Sequence, residues 1–206
     1  SMREAVHAFI MSEVNHRNEL DTTIDLAVIE VPVEKRDKHS GKIEKSAITV
    51  RIGEQTRIAH LRYWSDDPAR FKKIFDYVVR RSLNLSPEAV IDAKDADRYL
   101  RFLATRLADE ASRYYDLHAV HSSPTAGNRT TSGATIDLGT FRYLDAHHAE
   151  YSYLFDQLKL GGAYGQVEQM KNYLKMVANY GKATGIPMPL EAAMKTFDFE
   201  FRERLT

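Results

Sequence analysis

Two β-branched runs, TTIDLAVIEVPVEK at 22–35 and IEKSAITVRIG at 43–53, constrain the fold most. They are the longest strand-like segments in a chain otherwise patterned for helices. The charged stretch RDKHSGK between them is long enough for a hairpin loop that does not need a tight Asn-Gly turn. Ahead of them, Val6, Phe9, Ile10 and Val14 recur at helical spacing within residues 3–19, which predicts one amphipathic helix. Behind them, DDPARFKKIFDYVVRRSL sets Asp before Pro at a first turn, with apolar residues at 71, 74, 75, 78 and 79. A second long helix is expected from about Ala93 to Leu117, carrying Tyr99, Phe102, Leu103, Leu107 and Tyr114. Further helices are expected near 149–159, 165–184 and 189–204, with a short strand pair before them. Helix, hairpin, helices, short strands and helices make the fold class α+β, mostly helical toward the C-terminus.

Composition narrows the function. Lys plus Arg is 29 and Asp plus Glu is 29, giving zero net charge and no general electrostatic grip on nucleic acid or an acidic membrane. The chain has no cysteine, which removes disulfides, thiol nucleophiles and Cys-based zinc sites. No apolar run approaches the roughly 20 residues that span a bilayer, and no signal-peptide pattern opens the chain, so a cytoplasmic protein is expected. Ser1-Met2 reads as a cloning remnant ahead of an internal residue, so the chain is expected to be part of a longer one.

Several groups could carry chemistry. His118, His121, His147 and His148 suggest a metal, but no His-Glu-x-x-His pattern supplies a general base, and structural histidines are the simpler reading. Tyr63, Trp64, Tyr114 and Tyr115 sit beside helical apolar stripes and read as core packing rather than base-stacking platforms. Arg51 and Arg57 flank the end of the second strand, where two guanidiniums could clamp phosphate or simply be solvated. Asn128 and Asp137 lie on either side of the flexible RTTSG stretch. Two hard oxygen donors there suit a nucleotide-bound Mg²⁺; a turn-capping Asp in a polar loop is the plainer alternative.

The segment HSSPTAGNRTTSGATIDLGTFRYLD, residues 121–145, resembles the metal-binding segment of the selenoprotein O family. That family's pattern is His-Gly-x-x-Asn-Thr-Asp-Asn followed by Gly-x-Thr-Ile-Asp-Tyr-Gly-Pro-Phe-x-x-Leu-Asp. From His121 it matches without a gap at Asn128, Gly133, Thr135, Ile136, Asp137, Gly139, Phe141, Leu144 and Asp145. SEVNHRNELDTT, AITVRIGEQTRIAHLRYW and FDYVVRR resemble flanking segments in the same order, so the resemblance runs from about residue 3 to about 180.

The resemblance implies a protein-kinase-like fold that transfers AMP from ATP to hydroxyl side chains of proteins. Residues 1–206 would be a single kinase-like fragment. Residues 3–62 would give the helix and hairpin of the N-terminal lobe, and 63–206 the helical C-terminal lobe with the metal loop at 121–145. Asn128 and Asp137 would ligate Mg²⁺ or Mn²⁺, and Arg51 and Arg57 would contact the phosphates of ATP. A protein substrate, or a second polypeptide supplying the missing lobe, would be the partner; nucleic acid and membrane would not.

Two departures stand out. The family's Asp before the metal-binding Asn, proposed as catalytic base, is Gly127 here, so the catalytic residue is unknown. The family's helix Glu falls on Ala8, with Glu4 one turn earlier. The Gly-rich stretch and its Lys would precede residue 1. A catalytically inactive pseudokinase-type binding module is the alternative reading.

Overall fold

The structure, a computed structural model, describes residues 1–36, 41–54, 56–121, 125–144 and 165–205. Helix α1 spans Met2–Arg17 and is opened by a capping box, in which Ser1 accepts from the Glu4 amide and Glu4 reaches back to Ser1. The helix was expected, but its buried face is not the one that the apolar residues mark. Ala5, Ala8, Ser12 and Asn15 face inward, whereas Val6, Phe9 and Ile10 are exposed. Small side chains let neighbouring backbone approach α1 closely, and that contact overrides the larger apolar stripe.

Strands β1 (Ile24–Arg36) and β2 (Ile43–Ile52) form an antiparallel hairpin, in register from Ile24 opposite Ile52 to Arg36 opposite Ile43. The register shifts twice, between Asp25 and Ala27 and between Val31 and Glu34. Pro32, which cannot donate to the ladder, falls within the second shift. Ser12 ties α1 to β1: its hydroxyl donates to the Thr23 carbonyl at 3.0 Å and accepts from the Asp25 amide at 2.8 Å.

The rest of the described chain packs around one helix. After a short helix α2 (Ile58–Tyr63), which the periodicity did not reveal, come α3 (Pro68–Ser82, capped by Asp67) and α4 (Ala93–Asp116, capped by Asp92). Strands β3 (Ala119–His121) and β4 (Phe141–Tyr143) pair antiparallel, followed by α5 (Gln166–Gly181) and α6 (Leu190–Arg204). Helix α4 packs against α3, α5, α6 and β3, and buries Tyr99, Leu100, Leu103, Leu107 and Tyr114 completely. Phe71 and Phe75 from α3 and Phe197 from α6 close the core around it. The fold is α+β, as the sequence pattern indicates.

Tyr114 is core, as expected, but Tyr63 and Trp64 are not. Tyr63 is 77% exposed, and Trp64 lies at the surface with the Arg70 guanidinium 5.7 Å from its ring centre. They terminate α2 on its solvent side, beyond the buried Ile58 and Leu61. The helix expected near 149–159, with His147 and His148, lies outside the described residues. No helix of the described residues is long and apolar enough to cross a membrane.

Candidate functional site

Asn128 and Asp137 are brought together by the backbone. Asn128 ends a 3₁₀ turn, Ala126–Asn128, whose last amide donates to the Thr125 carbonyl at 2.8 Å. Its own carbonyl accepts from the Ile136 amide at 3.0 Å, so the chain returns beside it one residue before Asp137. The intervening loop reverses through Thr130–Ala134: the Thr130 amide donates to the Ala134 carbonyl at 2.9 Å, and Gly133 adopts φ +101°. A β-carbon on Gly133 would stand 3.2 Å from Arg106 Cβ on α4, so glycine supplies both the backbone conformation and the close approach. Asp137 itself is in the left-handed region, φ 61° and ψ 61°, a conformation that short polar side chains tolerate better than most. Its carbonyl contacts the buried His121 Nε2 at 3.1 Å. Burial, then the Arg129 charge, lowers the His121 pKa, so a neutral imidazole holds this bond.

A buried ion pair lies under the loop. Arg129, next to Asn128, contacts Glu110 of α4 at 2.6 Å, and each side chain is only 3% exposed. Arg129 Nη1 also donates to the Gly133 carbonyl at 2.8 Å, and its guanidinium lies 5.6 Å from the Tyr173 ring centre on α5. Thr135, two residues before Asp137, donates its hydroxyl to Glu110, and that hydroxyl is 2.7 Å from the Tyr114 hydroxyl. Burial works against the Arg129 charge, but Glu110, Tyr114 and Tyr173 outweigh it and raise its pKa. Glu110 therefore grips the loop at both ends of the span between the two candidate ligands. From the segment after β2, Glu54 accepts from the Thr131 hydroxyl at 2.5 Å and from the Ser132 amide at 3.1 Å.

The two arginines occupy different edges of this arrangement. Arg57, at the start of α2, donates Nη1 to the Gly127 carbonyl at 2.8 Å, directly beside Asn128. Its backbone bridges Thr130, and the following Ile58 amide donates to the Arg129 carbonyl at 2.9 Å. Arg51, near the end of β2, is opposite Asp25 in the ladder and ion-pairs with it, Nε to Oδ1, at 3.2 Å. Burial raises the Asp25 pKa, Arg51 opposes that shift, and the Asp137 charge adds to it. Asp137 is thus electrostatically coupled to the Asp25–Arg51 pair. Hydrogen bonds link Arg57 to Gly127, beside Asn128, and Ile136, beside Asp137, to Asn128, while Arg51 approaches the group through Asp25.

The donor set fits a hard divalent cation. Asn128 offers an amide oxygen, and the exposed Asp137 carboxylate forms no ion pair or side-chain hydrogen bond among the described residues. Magnesium commonly takes one or two protein oxygens and leaves its remaining positions to phosphate and water. Among the described residues no group of three or more His, Asp or Glu side chains surrounds a cation position, so any cation here would depend on such outside ligands. Gly127 has no side chain to accept a proton, and Ala8 is buried. Glu4 is the acid of α1 that reaches this region: a β-carbon on Gly139 would lie 3.8 Å from Glu4 Cβ and 3.9 Å from Asp137 Oδ1.

Sequence reasoning missed three residues. Glu110 falls on the buried stripe of α4 between Leu107 and Tyr114, where an acid needs a partner, and Arg129 is that partner. Asp25 points inward while Ile24 and Leu26 point out, an inversion of the usual alternation that was legible in TTIDLAV.

The chain is similar to known proteins. The family described as protein adenylyltransferase SelO matches residues 1–206. A protein nucleotidyltransferase YdiU from Shewanella pealeana is 28% identical over 151 residues, which cover 70% of this chain and 30% of that protein. Its counterpart in Burkholderia pseudomallei is 29% identical over 158 residues, covering 73% and 28%. The one in Alkalilimnicola ehrlichii is 26% identical over 166 residues, covering 74% and 32%. The matched regions thus span about a third of the length of these relatives.

Proposed function

Because the chain belongs to the SelO family of protein adenylyltransferases, we propose that it supplies metal- and phosphate-binding residues to a nucleotidyltransferase site that moves AMP from ATP to a protein hydroxyl. The observation that carries this reading is the Ile136-to-Asn128 hydrogen bond. It brings the backbone at Ile136, next to Asp137, against Asn128, with the Arg57 guanidinium on the adjoining Gly127 carbonyl, and this supports the reading. In this reading Asn128 and Asp137 hold Mg²⁺ or Mn²⁺, which would neutralise phosphate charge, and Arg51 and Arg57 face phosphate oxygens. The hydroxyl oxygen forms a bond to the α-phosphorus, the bond to pyrophosphate breaks, and the hydroxyl proton passes to a base. Gly127 cannot be that base. Such a transfer depends on positioning and charge neutralisation, for which arginines and oxygen ligands are suited.

A protein-kinase-like arrangement would place α1 and the β1–β2 hairpin, residues 3–62, in the smaller lobe and residues 63–206 in the helical one. The protein would work in the cytoplasm, with ATP and a hydroxyl-bearing protein as its partners.

A thermal-shift titration with ATP and Mg²⁺ tests the reading. Ligand at a hundredfold excess over Kd stabilises by about 2.7 kcal/mol, which for a chain of this size raises Tm by roughly 5–10 °C. Asp137→Ala is expected to abolish the rise. No rise in the wild-type protein would sink the nucleotide reading. Label transferred to protein from α-labelled but not γ-labelled ATP identifies AMP transfer; binding without transfer identifies the inactive binding module.

A further inference from the structure

Asp25 is the buried carboxylate that nothing in the preceding reading uses. Its side chain is 1% exposed, yet neither carboxylate oxygen makes a hydrogen bond among the described residues. Among the described residues its one ion pair is with the Arg51 Nε at 3.2 Å. A buried carboxylate normally collects several donors, because desolvating the charge is costly unless hydrogen bonds replace water. Residue 25 is therefore not optimised for stability, and burial raises its pKa despite the adjacent guanidinium.

The local backbone makes the placement specific. Asp25 is opposite Arg51 in the hairpin ladder, and the register slips immediately after it, between Asp25 and Ala27. Such irregularities re-aim side chains at the edge of a sheet. The Asp25 amide is fixed by the Ser12 hydroxyl at 2.8 Å, so the backbone of residue 25 is anchored to α1 as well as to the strand. Arg51 keeps 21% of its side chain exposed, and its closest approach to Asp25 is through Nε. The two terminal nitrogens, which form the fork that matches two oxygens of a phosphate, make no hydrogen bond among the described residues. The carboxylate thus takes one edge of the guanidinium and leaves the other available.

We propose that Asp25 is a positioning residue: held between Ser12 and Arg51, it orients the Arg51 fork toward the phosphates of the nucleotide bound beside Asp137. This rests on the nucleotide reading above. Asp25 touches neither substrate nor metal in the proposal and acts only through Arg51. Its cost to folding is the counterpart of an arginine that would otherwise swing into solvent from a strand end.

The test is a double-mutant cycle on the purified protein, with Mg·ATP affinity measured by calorimetry for wild type, Asp25→Ala, Arg51→Ala and the double variant. Orientation through Arg51 predicts that Asp25→Ala weakens ATP binding by about tenfold, and that the double variant is no weaker than Arg51→Ala alone, within about twofold. Losses that multiply in the double variant would overturn the proposal, since Asp25 would then act independently. Tighter binding by Asp25→Ala would also overturn it, showing a carboxylate that competes with phosphate for Arg51. If Asp25→Ala does not fold, Asp25→Asn keeps the shape and one acceptor oxygen; unchanged ATP affinity in that variant overturns the proposal, and a severalfold loss at an undiminished Tm supports it. Wild-type protein that binds no ATP removes the nucleotide reading and the inference with it, an outcome visible before any variant is made.

Discussion

At the scale of single residues, the Glu110–Arg129 pair is the most exacting feature of the molecule. Two charges 97% buried must satisfy each other, and Arg129 Nε still has no hydrogen-bond partner among the described residues. Breaking such a pair from one side typically costs about 3–5 kcal/mol, whereas replacing both members by apolar groups of similar volume is often neutral or stabilising. Arg129→Met alone is therefore expected to destabilise by roughly that amount. Adding Glu110→Leu should recover most of the loss, as read from urea denaturation midpoints at constant slope. If the double variant is as unstable as the single one, the loop depends on the charges themselves. The sequence holds half of this information: an acid on an apolar helical stripe calls for a partner. It does not say which cation answers, because Glu110 and Arg129 meet only once the chain beyond α4 has folded back against that helix.

The helices were legible because apolar periodicity and caps agree. Asp67 and Asp92 cap α3 and α4 where Asp precedes the apolar pattern. The short helix α2 was missed, since six residues offer less than two turns of pattern. The face of α1 was misread because periodicity rewards large side chains, whereas Ala5, Ala8 and Ser12 are buried for being small. The β1–β2 hairpin was found with its ends correct to within about two residues, a usual margin for strand boundaries. Its packing was not foreseen. Leu26, Ile29, Val33, Ile43 and Ile48 are exposed, and among the described residues the hairpin forms a two-stranded sheet by itself. A sheet of two strands is marginal without a hydrophobic face to cover it. Amide hydrogen exchange should show the outer part of the hairpin, residues 28–34 and 43–48, opening at much lower free energy than α4. Equal protection in both would mean that the hairpin unfolds only with the whole domain.

Over the whole molecule, the candidate site is assembled from three distant stretches: the entry to β1, the turn from β2 into α2, and the loop from Asn128 to Asp137. Thr23 donates its amide to the Thr135 carbonyl at 3.1 Å, and Thr131 donates its amide to the Thr56 carbonyl at 2.9 Å. The sequence marks the individual residues Arg51, Arg57, Asn128 and Asp137, but these cross-links are properties of the folded chain. In this assembly, residue 127 is secured among the described residues by its carbonyl, which accepts from Arg57. Its φ is not left-handed, and an added β-carbon would meet only the Thr125 hydroxyl oxygen, at 3.4 Å. Nothing in the backbone demands glycine there. Gly127→Asp is expected to change stability by less than about 1 kcal/mol by chemical denaturation, while giving the site a carboxylate next to Asn128. The scaffold and the acid–base capacity of the candidate site are therefore separable: a single codon could add or remove a proton acceptor without disturbing the fold.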